Sequence, residues 1–167
     1  MVVVEKQLED KLEEELGGWK QLVILGVGNE LGGDDSLGLS AARKLKEALS
    51  GISGVEVLAV GNAPENFTGL VRRLSPSHIL LIDAAEMGET AGTIKLVESH
   101  QIEGMIPSTH SFPLNMLVRY LEQEIGSRVL ILGMQPKKLV FGTSMSTEVE
   151  SSIDNLLLML ERLLIRD

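Results

Sequence analysis

Two adjacent aspartates, Asp34 and Asp35, stand in the stretch "GVGNELGGDDSLG" (26–38), directly after the apolar run "LVIL". A third acid, Asp83, follows the apolar run of "HILLIDAA" (78–85), and His110 lies in "PSTHSFPLN" (107–115). Two carboxylates and an imidazole from three separate loops make a three-ligand set with open positions. That set suits a borderline divalent ion such as zinc or nickel, in a catalytic rather than a structural site. Each residue also has a plainer reading. Aspartate is a preferred helix cap, although only one of two neighbours can take that position. Asp83 could be a hydrogen-bonded structural acid, and a loop histidine can be simple polar surface. The other histidines fit the set less well: His78 opens its strand, at the opposite end of a sheet, and His100 follows an edge-like strand.

Glycine-rich turns between a strand and a helix often cradle phosphate, but this one lacks the necessary parts. The dinucleotide fingerprint is G-x-G-x-x-G, whereas Gly26-Val27-Gly28-Asn29-Glu30 is followed by Leu31. No phosphate-loop lysine is present, and the next strand ends "AVGNA", without the acid that would hold a ribose. A helix N-terminus attracts anions, yet two fixed carboxylates would oppose a pyrophosphate by roughly a few kcal/mol at an effective dielectric near 20. The loop is suited to a cation, with Gly28, Asn29 and Asp34 shaping it around the substrate.

The elements that must carry these loops alternate. "LVILGVG" (22–28), "VEVLAVG" (55–61), "HILLIDAA" (78–85), "TIKLVES" (93–99) and "RVLILGM" (128–134) read as five strands. Helical spacing covers 36–49, a segment from Pro64, 113–125 and about 146–165. The third strand is almost wholly apolar, as a central strand covered on both faces must be, and the fourth carries a lysine, as an edge strand can. Alternating strands and helices predict an α/β fold: a single domain with a twisted, mostly parallel five-stranded sheet and helices on both faces. Ligands of such sheets collect outside the carboxyl ends of the strands, where the loops bearing Asp35, Asp83 and His110 are expected.

Ahead of the first strand, "EKQLEDKLEEEL" (5–16) places Leu8, Leu12 and Leu16 on a narrow apolar stripe, ended by Gly17-Gly18. Residues 1–20 thus read as a helical extension and 21–167 as the α/β domain, with Trp19 as a packing anchor at the junction.

The bulk composition narrows the function classes. The chain has 167 residues, enough for one full core and short for two. A net charge of −9 and a pI near 4.9 argue against a nucleic-acid binder. Cysteine is absent, which removes disulfides, thiolate ligands and cysteine nucleophiles together. "MVVVEKQLED" does not read as a signal peptide, and no apolar run approaches the roughly 20 residues of a membrane helix. A soluble cytoplasmic protein is expected, with no membrane partner.

Beyond pattern, the sequence resembles a family. "GVGNELGGDDSLG", "GNAPENF", "LLIDAAEMGETAGTI", "STHSFPLN" and "LGMQP" occur in the order found in the [NiFe]-hydrogenase maturation endopeptidases. The similarity is to the HycI type within the HybD-like family, from about residue 21 onward. The resemblance implies a twisted five-stranded sheet between helices. It also implies removal of a C-terminal extension from the hydrogenase large-subunit precursor after nickel insertion. By that resemblance Asp35, Asp83 and His110 are both the catalytic set and the nickel-reading set. Nickel would arrive with the substrate, zinc or cadmium would stand in for it in crystals, and no organic cofactor is implied. Family members commonly begin at their first strand, so residues 1–20 are an addition that the resemblance does not cover. Position 111 is serine where relatives often have asparagine.

Two other readings stay open on the residues alone. A non-catalytic nickel- or zinc-binding maturation factor could use the same three ligands. A peptidyl-tRNA hydrolase-like enzyme shares the G-x-G-N opening, but needs an early histidine and a basic face that this chain lacks. Oligomeric state is left open.

Overall fold

The computed structural model describes residues 2–102 and 112–165. Five strands form one sheet: β1 (Leu22–Val27), β2 (Val55–Gly61), β3 (His78–Ala84), β4 (Ile94–Val97) and β5 (Arg128–Met134). Their spatial order is β2-β1-β3-β5-β4, with every pairing parallel except β4 with β5. Among the described residues five α-helices accompany them: α1 (Val2–Glu15), α2 (Leu37–Ala48), α3 (Thr68–Leu74), α4 (Leu114–Tyr120) and α5 (Thr147–Leu164).

Period-two alternation divides the strand residues between two cores. Ile24, Leu80, Ile82 and Leu132 meet Leu12 of α1, Leu45 of α2 and Leu156 of α5 on one face. Val23, Leu25, Ile79, Leu81 and Ile131 meet Val71 of α3 and Leu117 of α4 on the other. All seven residues of β3 are buried, which explains its nearly unbroken apolar run. β4 is short, carries the exposed Lys95 and occupies an edge. The segment read as one helix over 113–125 starts as α4 and widens to a π-helical turn at Leu121–Ile125, closed by Gly126 in the left-handed conformation.

The strand order creates the crevice that matters. The chain leaves β1 through α2 to reach β2, then returns past β1 through α3 to β3, so β1 and β3 are the neighbours at the switch point. The first turn of α2 rests directly on their backbones. A Cβ at Gly38 would come within 2.0 Å of the Val27 carbonyl oxygen and 2.4 Å of that of Ile82. Only glycine permits that approach, and the approach holds the glycine-rich loop over the carboxyl ends of both strands.

Helix α1 belongs to the same core. Leu12 is fully buried and Leu16, just past the helix, nearly so, while Leu8 and Trp19 pack partly buried against them. Glu15 pairs with Arg128 at the start of β5, and Glu9 with Arg162 of α5 at 3.0 Å. Exposed pairs of this kind are worth little, so the leucines carry the attachment. Leu12→Ala is expected to lower unfolding free energy by about 2–5 kcal/mol, measured by urea denaturation. A loss below about 1 kcal/mol would place α1 outside the cooperative core.

Candidate active site at the carboxyl ends of β1 and β3

The loop after β1 is folded tightly on itself. The Asn29 N–H donates to the Asp35 carbonyl at 3.1 Å, the Gly32 N–H to the Asn29 carbonyl at 3.0 Å, and the Asp35 N–H to the Gly32 carbonyl at 3.1 Å. The Asn29 side-chain oxygen accepts the Leu31 N–H at 3.1 Å. A Cβ at Gly28 would lie 2.1 Å from the Asp35 carbonyl oxygen, so the glycines serve close approach of the chain to itself. A 3-10 turn, Gly33–Ser36, then leads into α2.

The two aspartates of this turn do different work, and neither occupies a cap position: Gly32 precedes the 3-10 turn and Ser36 precedes α2. The capping expectation is therefore replaced by a longer-range arrangement. Asp34 is fully buried and accepts four hydrogen bonds from the connection between β5 and α5. Its Oδ2 receives the Lys137 N–H at 2.8 Å, the Lys138 N–H at 3.1 Å and the Ser146 hydroxyl at 2.9 Å. Its Oδ1 receives the Ser146 N–H at 2.6 Å. An ionised carboxylate offers about four lone-pair sites and no donor, which matches this set of donors. Ser146 is itself the residue before α5, so Asp34 ties the first loop to the start of the last helix.

Among the described residues Asp35 and Asp83 are the two other buried acids of this end of the sheet, at 2% and 0% exposure. Asp83 has the alternation of Ile79 and Leu81, on the side of the α3–α4 layer, and its Oδ1 accepts the Ala84 N–H at 2.8 Å. The turn that carries Asp35 packs against β3. The structure thus brings the Asp35 turn and the Asp83 strand to one corner. His110 lies outside the described residues. Among the described residues no cluster of three or more histidines, aspartates or glutamates is arranged to hold a metal.

Two further residues organise this end of the molecule. Gln135, directly after β5, is buried; its Oε1 accepts the Met87 N–H at 2.7 Å and the Glu89 N–H at 3.3 Å. Its Nε2 donates to Glu86 Oε2 at 3.0 Å and to the Pro136 carbonyl at 3.1 Å. The loop following Asp83 is thereby pinned to the end of β5. The sequence signal was an amide wedged between an apolar strand and a proline. For Ser146, it was a serine just before the periodic face of the last helix.

His78 and His100 sit away from this corner. His78 is buried at the amino end of β3 with Nδ1 3.0 Å from the Ser77 hydroxyl; burial, and secondarily Arg128, lowers its pKa. His100 is exposed.

The family model of the HycI hydrogenase maturation proteases matches residues 39–163. The chain belongs to that family. The protease is 35% identical over 140 residues to the hydrogenase 3 maturation protease of Escherichia coli K12, across 83% of this chain and 88% of that one. Its fold is similar to the crystal structure of the [NiFe] hydrogenase maturation protease HycI from Thermococcus kodakarensis. There the TM-score is 0.85 at 28% identity, over 93% of this chain and 99% of the other. The solution structure of the Escherichia coli endopeptidase HycI gives 0.75 at 33% identity, over 86% and 90%. The Thermococcus match covers more of the protease than residues 21–167 contain, so it extends upstream of β1. Peptidase chemistry therefore has to be found in this scaffold, which is a single α/β domain.

Asp34→Asn supplies a test of the Asp34 arrangement. The amide replaces one acceptor oxygen by a donor and sets N–H against N–H. The expected loss is about 2–4 kcal/mol of stability in chemical denaturation. A change within about 0.5 kcal/mol would mean that the tether does not hold the loop.

Proposed function

We propose that the protease removes a C-terminal extension from the large-subunit precursor of a [NiFe] hydrogenase, after nickel has been inserted, and that Asp35, Asp83 and His110 engage that nickel. Nickel in this reading is part of the substrate, so no resident cofactor is required. The observation that supports it is the pair of buried acids at the β1–β3 switch point, Asp35 from the 3-10 turn that follows β1 and Asp83 from the end of β3. Negative charge concentrated at one buried corner is offset by a divalent cation more effectively than in water, because the local dielectric is lower. Carboxylate and imidazole together are a donor set that nickel accepts. His110 enters through the family resemblance of "STHSFPLN".

The ion would dock the precursor and fix the scissile peptide beside the loops. Hydrolysis then requires a water made nucleophilic at neutral pH, either through the substrate's metal or through a carboxylate acting as base. Asp35 is our choice for the base, because its backbone is fixed by hydrogen bonds to Asn29 and Gly32. Gly28, Asn29 and Asp34 hold the shape of the loop around the peptide. No described helix is long and apolar enough to cross a membrane, and a cysteine-free chain is compatible with the reducing cytoplasm in which we place the reaction.

The test compares purified precursor with and without nickel. Cleavage of the loaded form alone is expected, and equal cleavage of both would remove nickel from the recognition step. Asp35→Asn, Asp83→Asn and His110→Ala are each expected to lower kcat/KM at least about a hundredfold while the protein remains folded by circular dichroism. Near-normal rates in Asp35→Asn or Asp83→Asn would overturn the assignment.

A further inference from the structure

The connection between β5 and α5 does something that the hydrogen bonds of Asp34 do not require. It exposes three successive apolar side chains: Leu139, Val140 and Phe141, the last 71% exposed. The turn is tight. The Thr143 hydroxyl donates to the Val140 carbonyl at 2.7 Å, and Gly142 takes φ +76°. The Gly142 N–H donates to the Leu31 carbonyl at 2.8 Å, which brings the 58%-exposed Leu31 of the first loop against the same turn. Four exposed apolar residues from two hydrogen-bonded loops therefore form one surface beside the candidate site.

We propose that this surface is the docking contact for the folded body of the precursor protein, which seats an apolar depression over Phe141 while its cleavage site enters the corner of Asp35 and Asp83. The proposal rests on the peptidase reading of that corner. Three observations select this occupant. Grouped exposed apolar residues mark protein interaction surfaces, whereas scattered ones do not. The surface is continuous with the loop bearing Asp35, to which Asp34 ties its base through the Lys137 and Lys138 amides, so whatever enters the corner meets it. Its most exposed member is an aromatic, Phe141 at 71%: an exposed aromatic anchor is received by a pocket on a folded partner, whereas an extended peptide is held in a groove or along a sheet edge.

The experiment measures binding of the full-length protease to purified, nickel-loaded large-subunit precursor by biolayer interferometry, with cleavage read in parallel. Phe141→Ser is expected to weaken binding about thirtyfold or more, as loss of an aromatic anchor does, and Phe141→Trp to restore it to within about threefold. Leu158→Ser, at an exposed apolar position on α5, is the control and is expected to change neither binding nor cleavage. Equal affinity of wild type and Phe141→Ser would overturn the docking surface while wild-type cleavage left the peptidase reading intact. Loss of binding in Phe141→Ser without any wild-type cleavage would support the surface and remove the peptidase reading for that precursor. A wild-type dimer by light scattering that becomes monomeric in Phe141→Ser, with affinity for precursor unchanged, would reassign the surface to self-association.

Discussion

One buried carboxylate organises the working end of this protease. Asp34 stands in a short 3-10 turn after β1, yet its four hydrogen bonds reach more than a hundred residues along the chain to Lys137, Lys138 and Ser146. An ionised group without water is very costly unless each lone pair is met, and here the donors are mostly main-chain amides. The arrangement does three things together. It satisfies the acid, it fixes the start of α5, and it holds the β5–α5 connection beside the first loop.

That tether gives the adjacent Asp35 its setting. The close approach of Gly38 to the Val27 and Ile82 carbonyls places the start of α2 over β1 and β3, and the turn before it carries Asp35 to the same corner as Asp83. Gln135 acts correspondingly on the other side, through the main chain of Met87 and Glu89. The loops at the carboxyl ends of β1, β3 and β5 are therefore braced against one another by buried polar groups. Such bracing suits a site that must hold its geometry while a protein substrate is seated on it.

Much of this was legible in the residues. The unbroken apolar run of β3 identified a central strand, and its single acid marked the end where chemistry could sit. The leucines at 8, 12 and 16 identified the buried stripe of α1. Five strands in a mostly parallel sheet and the edge position of β4 followed from pattern and from Lys95, whereas the antiparallel pairing of β4 with β5 did not. The division of labour between Asp34 and Asp35 was not legible. Adjacent identical residues look alike to any local rule, capping was the nearest local explanation, and the deciding partners lie beyond β5. The widening of the segment after α4 at Leu121 was likewise invisible, because a π-helical turn leaves the apolar spacing almost unchanged. His110 was read from resemblance and lies outside the described residues.

The account stands or falls on Asp35 and Asp83 forming a cation-reading corner while Asp34 stays committed to the protein. Anomalous diffraction from a crystal soaked with nickel or cadmium measures this directly. A peak at coordination distance from Asp35 and Asp83, with the Asp34–Ser146 hydrogen bonds intact, is the predicted result. A metal bound by Asp34, or occupied metal sites that touch neither Asp35 nor Asp83, would contradict it.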